Sequence, residues 1–306
     1  MMLKLIQACC IWRQAAHSAF TDLVDFNGAL WCVFREGSEH VSPDGAFRIL
    51  RSIDGLNWHS AALISDNSAD LRDAKFSVTA QGKLLLLGAA ALHDRSVLSH
   101  QSYLWQSDDG YHWPAPQAVG EANIWLWRMA WQQQQLYALG YKVGQPRLVR
   151  LYHSSNNSDF SAVADIYSGS YANESGLLFT ADATALCLLR RDPEPGLFGQ
   201  SPPPYTDWHW QDIGCRIGGP QWLQLADGRL LACVRLYDDK VRTSLCWIDR
   251  QSGRLSEALT LPSGGDCSYA GMVQRDNMLY VSYYSSHEEG TAIYLAVLSL
   301  QDCAPA

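Results

Sequence analysis

The chain has 306 residues and a formal net charge of −8, from 31 acidic and 23 basic side chains. That balance excludes nucleic acid or an anionic membrane surface as the main partner. Nine cysteines, an odd number, sit mostly in apolar runs (Cys32, Cys187, Cys233, Cys246), and none has zinc-ligand spacing. A reduced, cytoplasmic protein is therefore expected. The apolar run before Cys9 is too short for the core of a signal peptide, so neither a leader nor a membrane span is expected.

Helical periodicity is nearly absent, and short β-branched and aromatic runs alternate with Gly, Asp, Asn and Ser turns. An apolar strand comes first, from Leu3 to Ile11. Units of roughly 50 residues follow, the length of four strands with their turns. The first turn of each unit falls at Asn27-Gly28, Gln81-Gly82, the glutamines after Trp131, Asp182-Ala183, Asp227-Gly228 and Asp276-Asn277. A second turn lies between strands three and four. In the first two units it reads Ser52-Ile-Asp-Gly-Leu-Asn-Trp58 and Ser107-Asp-Asp-Gly-Tyr-His-Trp113.

In this pattern Ser and Asp bond the local backbone, Gly supplies a positive φ and Trp plugs the underside. Ser154 to Phe160, Ser201 to Trp208 and Asp249 to Gly253 hold the same place in later units. The last unit shows only three strands: Cys267 to Gln274, Met278 to Tyr284 and Thr291 to Leu298. Placing Leu3 to Ile11 as its fourth strand closes the ring and removes an open edge. The expectation is an all-β, six-bladed β-propeller of four-stranded antiparallel blades, a single domain spanning 1–306.

In such a ring the first strand of each blade lines the channel, starting at the face where the second strand ends. The Ser-x-Asp-Gly-x-x-Trp turns lie on the other face. First-strand starts supply His17, Asp70, Arg72, Asp73, Arg128, Asn173, Glu174, Asp266 and Tyr269. Second-strand ends and the loops after them supply Arg35, Glu36, His40, Asp44, His93, Tyr141, Arg190, Arg191, Arg235, Arg242, Tyr283, Tyr284 and His287. Asp70 and Arg72 share a strand face and suit an ion pair, while Asp73 is a candidate catalytic carboxylate. One of Arg190 and Arg191 must point away from the channel. Trp125, Trp127 and Trp131 alternate on one strand opposite Arg128 and read as core packing.

The two turns, together with Val33-Phe-Arg-Glu-Gly37, Asp70-Leu-Arg-Asp-Ala-Lys75, Asn173-Glu-Ser175, Leu189-Arg-Arg191 and Ser268-Tyr-Ala-Gly271, resemble bacterial sialidase-like propellers (the exo-α-sialidase family). In that family such turns are known as Asp boxes. The resemblance implies a small acidic carbohydrate as substrate, with Tyr269 as nucleophile, Glu174 as its base and Asp44 as acid/base, His40 competing for that last role. It implies three arginines for the substrate carboxylate, with Arg190 or Arg191 as the second and Arg242 as the third. The first should fall near His17, where the chain reads His17-Ser18 and where Arg35 could substitute. The other positions named are expected to bind substrate, with no cofactor and no metal. Two alternatives remain: a lyase using His17, Tyr269 and Arg35, and a sugar-binding propeller without catalysis.

Overall fold

The computed structural model describes residues 2–169 and 171–301. The leading strand β1 (Met2–Trp12) precedes blade one, which holds β2 (His17–Phe26), β3 (Ala29–Gly37), β4 (Ala46–Ser52) and β5 (His59–Ile64). Blade two holds β6 (Ala69–Val78), β7 (Leu84–Leu92), β8 (His100–Ser107) and β9 (Gln117–Val119). Blade three holds β10 (Ile124–Gln132), β11 (Gln135–Lys142), β12 (Leu148–Ser154) and β13 (Ser161–Ser168). Blade four holds β14 (Tyr171–Phe179), β15 (Ala185–Asp192), β16 (Leu197–Ser201) and β17 (His209–Asp212). Blade five holds β18 (Ile217–Gln224), β19 (Leu230–Leu236), β20 (Arg242–Ile248) and β21 (Leu255–Thr260). Blade six runs β22 (Cys267–Arg275), β23 (Met278–Ser285) and β24 (Ala292–Gln301), with β1 paired antiparallel on its outer edge. The fold is an all-β, six-bladed propeller closed by its own first strand.

Strand position in the blade explains the apolar patterning. A second strand is covered on both faces by neighbouring blades, so β7 reads Leu-Leu-Leu-Leu-Gly-Ala-Ala-Ala-Leu and is buried in all but its last residue. A fourth strand is peripheral, and every residue of β5 is exposed or half-buried. The buried apolar side chains fall into six clusters, each centred on a seam between adjacent blades. Trp31 and Phe47 of blade one meet Leu71 and Leu86 of blade two, and Leu188 and Phe198 of blade four meet Trp222 and Val234 of blade five. Leu3, Leu5 and Ala8 of β1 pack on the seam between blades five and six.

The turns stitch these seams at the face away from the first-strand starts. Ser52 Oγ accepts from Gly55 N at 2.9 Å, Asp54 Oδ1 accepts from Leu56 N and Asn57 N at 2.8 Å, and Trp58 Nε1 donates to Gly55 O. Ser107, Asp109, Gly110 and Trp113 repeat those bonds. Each turn also presses on the preceding blade. A Cβ on Gly110 would lie 2.5 Å from the Trp31 ring of blade one, and a Cβ on Gly55 3.0 Å from Tyr280 of blade six.

Gly110→Ala would force that clash and hold alanine at φ +78°. Urea unfolding should show a loss of about 2–4 kcal/mol. Gly82→Ala shares the positive φ, +72°, but meets open space. It should lose only about 1–2 kcal/mol. Equal losses would show that the contact with Trp31 contributes nothing.

Candidate active site

Every first strand carries one residue more than its neighbour pairs. The register slips between Ala19 and Asp22, Arg72 and Lys75, Leu126 and Arg128, Ala172 and Ser175, Gly218 and Gln221, and Ser268 and Gly271. Such β-bulges bend the strand and re-aim a side chain. Phe20, Asp73, Gly219 and Tyr269 sit at these slips with φ of +62°, +57°, +54° and +51°. Phe20, Asp73, Glu174 and Tyr269 thereby turn into one cavity of about 370 Å³. Trp127, at the blade-three slip, packs edge-on to Tyr269 with ring centroids 5.7 Å apart.

Tyr269 is the hub of the cavity floor. Its Oη donates to Glu174 Oε1 at 2.6 Å, and Arg190 Nη1 lies 3.1 Å from the phenol oxygen and 2.6 Å from the same carboxylate oxygen. Glu174 Oε2 accepts from Gly219 N at 3.0 Å. Gly219 has to be glycine, because a Cβ there would sit 2.7 Å from the Tyr269 ring. The Arg235 guanidinium stands over that ring at 5.2 Å, and Phe20 meets it edge-on at 5.1 Å. Burial first, and then the Glu174 charge, push the Tyr269 hydroxyl well above its ordinary value, so it is a neutral phenol in this state.

The cavity gathers four arginines, Arg72, Arg147, Arg190 and Arg235, against two carboxylates, Asp73 and Glu174. It therefore favours an anionic guest. Desolvation raises the Asp73 carboxyl despite the attraction of Lys75 and Arg72, and its Oδ1 is buried without a hydrogen-bond partner. Lys75 lies beneath, its Nζ 4.9 Å from the Trp127 ring centre, and burial lowers it to about 8. Deeper still, Arg128 donates to Asp22 Oδ1 at 3.1 Å and to Ala270 O at 2.8 Å. It thus ties blade three to blades one and six.

The sequence-derived candidates divide cleanly. Tyr269, Glu174, Asp73, Arg72, Arg190, Arg235 and His40 line the cavity. Asp44 is corrected: it lines separate clefts beside Ser65, and bonds from Ser42 and from the Ser38 backbone lower it to about 2. Arg242 is corrected too, its fork spent on Glu257 (2.7 Å) and Asp238, so the blade-five arginine of the cavity is Arg235. Arg191 points away from Arg190, to Pro195 O and Glu194.

Arg35 is buried on Asp70 at 2.7 Å with Ser42 Oγ, and Asp70 also takes Arg72 at 3.0 Å. Glu36 pairs with Arg48, and Arg128 is structural as described. Tyr283 donates to Pro262 O, and His287 bonds Ser285 Oγ, both outside the cavity. His17 lies behind His40, facing Asp266 at 3.6 Å. Lining residues absent from the expectations are Phe20, Arg147 and Tyr171, where Arg147 lies 3.9 Å above the Tyr171 ring. Arg147 follows a second strand and Tyr171 starts a first strand, so both met the positional rule. Trp125, expected in the core, stacks on Tyr141 and borders the cavity as well.

No family model and no curated protein matches the chain. A solved Dyadobacter fermentans protein of unknown function is similar over 98% of this chain and 99% of its own, at TM-score 0.88 and 17% identity. A Penicillium chrysogenum α-L-arabinanase is similar over 98% and 100%, at TM-score 0.75 and 14% identity. Trypanosoma rangeli sialidase is similar over 93% of this chain, at TM-score 0.73 and 13% identity, and the chain spans 55% of its length. At these identities the likeness establishes the fold.

The raised Tyr269 hydroxyl fixes the sign of a pH effect. Folding keeps the proton, so its contribution to stability is complete below about pH 10, the unfolded tyrosine value, and is lost as pH rises above it. Unfolding free energies in urea should fall less steeply between about pH 9 and 11 for Tyr269→Phe than for the parent. Parallel declines would mean that the phenol titrates alike in both states.

Proposed function

We propose that the chain is a retaining glycosidase for a sugar bearing a carboxylate beside its anomeric carbon, such as a sialic acid. One observation carries this reading: the Tyr269 phenol donates to Glu174 Oε1 at 2.6 Å on the floor of an arginine-lined cavity. A carboxylate nucleophile would be repelled by the substrate's own carboxylate, whereas a neutral phenol is not. In the first step Tyr269 Oη attacks the anomeric carbon, its proton passes to Glu174, and the glycosidic oxygen leaves with a proton from Asp73. In the second step Asp73 takes a proton from water, water attacks the same carbon, and Tyr269 departs with the proton from Glu174. Arg190, bonded to both Tyr269 and Glu174, steadies the developing phenolate.

Arg235, Arg72 and Arg147 are the remaining cations available to the substrate carboxylate. The volume of about 370 Å³ suits a single sugar unit. Propeller glycosidases among the similar structures support a carbohydrate substrate. The lyase alternative is weakened because Arg35 is spent on Asp70 and does not meet Tyr269. Free thiols at all eight described cysteines support a reducing, cytoplasmic location.

Aryl and alkyl sialosides, with an aryl α-L-arabinofuranoside as neutral comparator, test the reading. Tyr269→Phe should lower kcat by on the order of 10³-fold or more, and NMR should show the retained anomer first. Asp73→Asn should lose about 10²–10⁴-fold on the alkyl glycoside but far less on the aryl one, which needs no proton. Because Asp73 must be protonated to donate, the parent's rate should fall as pH rises through its raised value. Full turnover by Tyr269→Phe would overturn the mechanism, and binding without any turnover would favour a sugar-binding propeller.

A further inference from the structure

Beside the cavity, three elements bring metal-ligand atoms together. His17 starts β2, His40 lies in the loop after β3, and Asp266 precedes β22. His40 Nδ1 is 2.7 Å from Asp266 Oδ2 and His17 Nε2 is 3.6 Å from the same oxygen. All three donor atoms lie within 4.8 Å of one another, the one such grouping of His, Cys, Asp or Glu among the described residues. Ligands at about 2.0–2.1 Å around a tetrahedral Zn²⁺ stand about 3.3 Å apart. The His17–Asp266 separation is already close to that spacing, and a cation would replace the shorter His40–Asp266 hydrogen bond, the two atoms parting by about 0.6 Å.

The surroundings orient these atoms as a ligand set. Asp266 Oδ1 accepts from Arg235 Nη2 at 2.9 Å and from Tyr284 Oη at 2.7 Å, which fixes the carboxylate and leaves Oδ2 toward the histidines. Phe20 holds the His40 ring edge-on at 5.2 Å. His17 is 8% exposed, and its Nδ1 is buried without a partner, so the hydrogen bonds of the apo cluster leave it incompletely satisfied. His40 also lines the cavity, so a cation held here would have its open position on that side.

We propose that His17 Nε2, His40 Nδ1 and Asp266 Oδ2 bind one divalent transition cation, with a coordination position open to the cavity for an oxygen of the ligand. Two imidazoles and one carboxylate are the donor set that Zn²⁺ and its first-row neighbours accept, and three protein ligands leave a place for a fourth. The cation supplies positive charge at the blade-one side of the cavity, where Arg35 is neutralised by Asp70.

The full chain, dialysed against chelator, is titrated with Zn²⁺ by calorimetry and with Co²⁺ by visible absorption. One equivalent per chain is expected, with the intense bands of four-coordinate Co²⁺. His40→Ala should weaken uptake on the order of 100-fold. Because His40 is half exposed, this variant should fold, and an unchanged circular dichroism spectrum verifies it; His17→Ala is the buried companion. Absence of stoichiometric uptake, or equal uptake by His40→Ala, overturns the proposal and leaves a hydrogen-bonded cluster only. Turnover is not read, so this result is separate from the fate of the glycosidase reading.

Discussion

Each inner strand has one residue too many for its neighbour, and the surplus residue has to leave the ladder somewhere. In this propeller it leaves near the start of the inner strand in all six blades. In four blades the backbone there takes positive φ, at Phe20, Asp73, Gly219 and Tyr269. Conformations of that kind cost of order 1–3 kcal/mol at a non-glycine residue and persist only where the surroundings over-determine them. The six apolar seams supply that rigidity, and residues at four of the slips, Phe20, Asp73, Glu174 and Tyr269, line the candidate site.

Buried charge sets the second constraint. Glu174 is held by Tyr269, Arg190 and the Gly219 amide, and Asp22 by Arg128 and the Phe76 amide. Removing one partner of such a pair typically costs 3–5 kcal/mol, because the other charge remains buried. Asp73 stands apart, with one oxygen lacking any hydrogen-bond partner and its carboxyl raised by desolvation. That is an unfavourable arrangement for folding and a useful one for passing a proton. The same cavity thus holds a fully hydrogen-bonded Tyr269–Glu174 pair and an incompletely satisfied Asp73 carboxyl.

Much of this was legible in the chain. The turn residues fixed the blade count and the order of strands, and blade position alone pointed to Tyr269, Glu174, Asp73, Arg190 and Arg235. The misses have a common cause. Arg242 and Arg235 both flank the loop between β19 and β20, and strand alternation cannot say which of them reaches the cavity. Asp44 lies in the expected loop, but Ser38 and Ser42 draw it away. Arg35 has the right chemistry for a carboxylate clamp, yet a buried Asp70 within 2.7 Å takes it first.

Sequence by itself determined the architecture, because turn chemistry and apolar runs act over a few residues and repeat. It also determined which residue types gather at the face that carries the cavity. The tertiary structure decided which of those side chains meet. A one-residue slip reverses the facing of a strand, and such slips leave little trace in composition. The partner of each charge likewise comes from another blade: Glu174 and Tyr269 are 95 positions apart, and Arg128 and Asp22 are 106. Only closure of the ring, with β1 laid against β24, brings those distances down to a hydrogen bond.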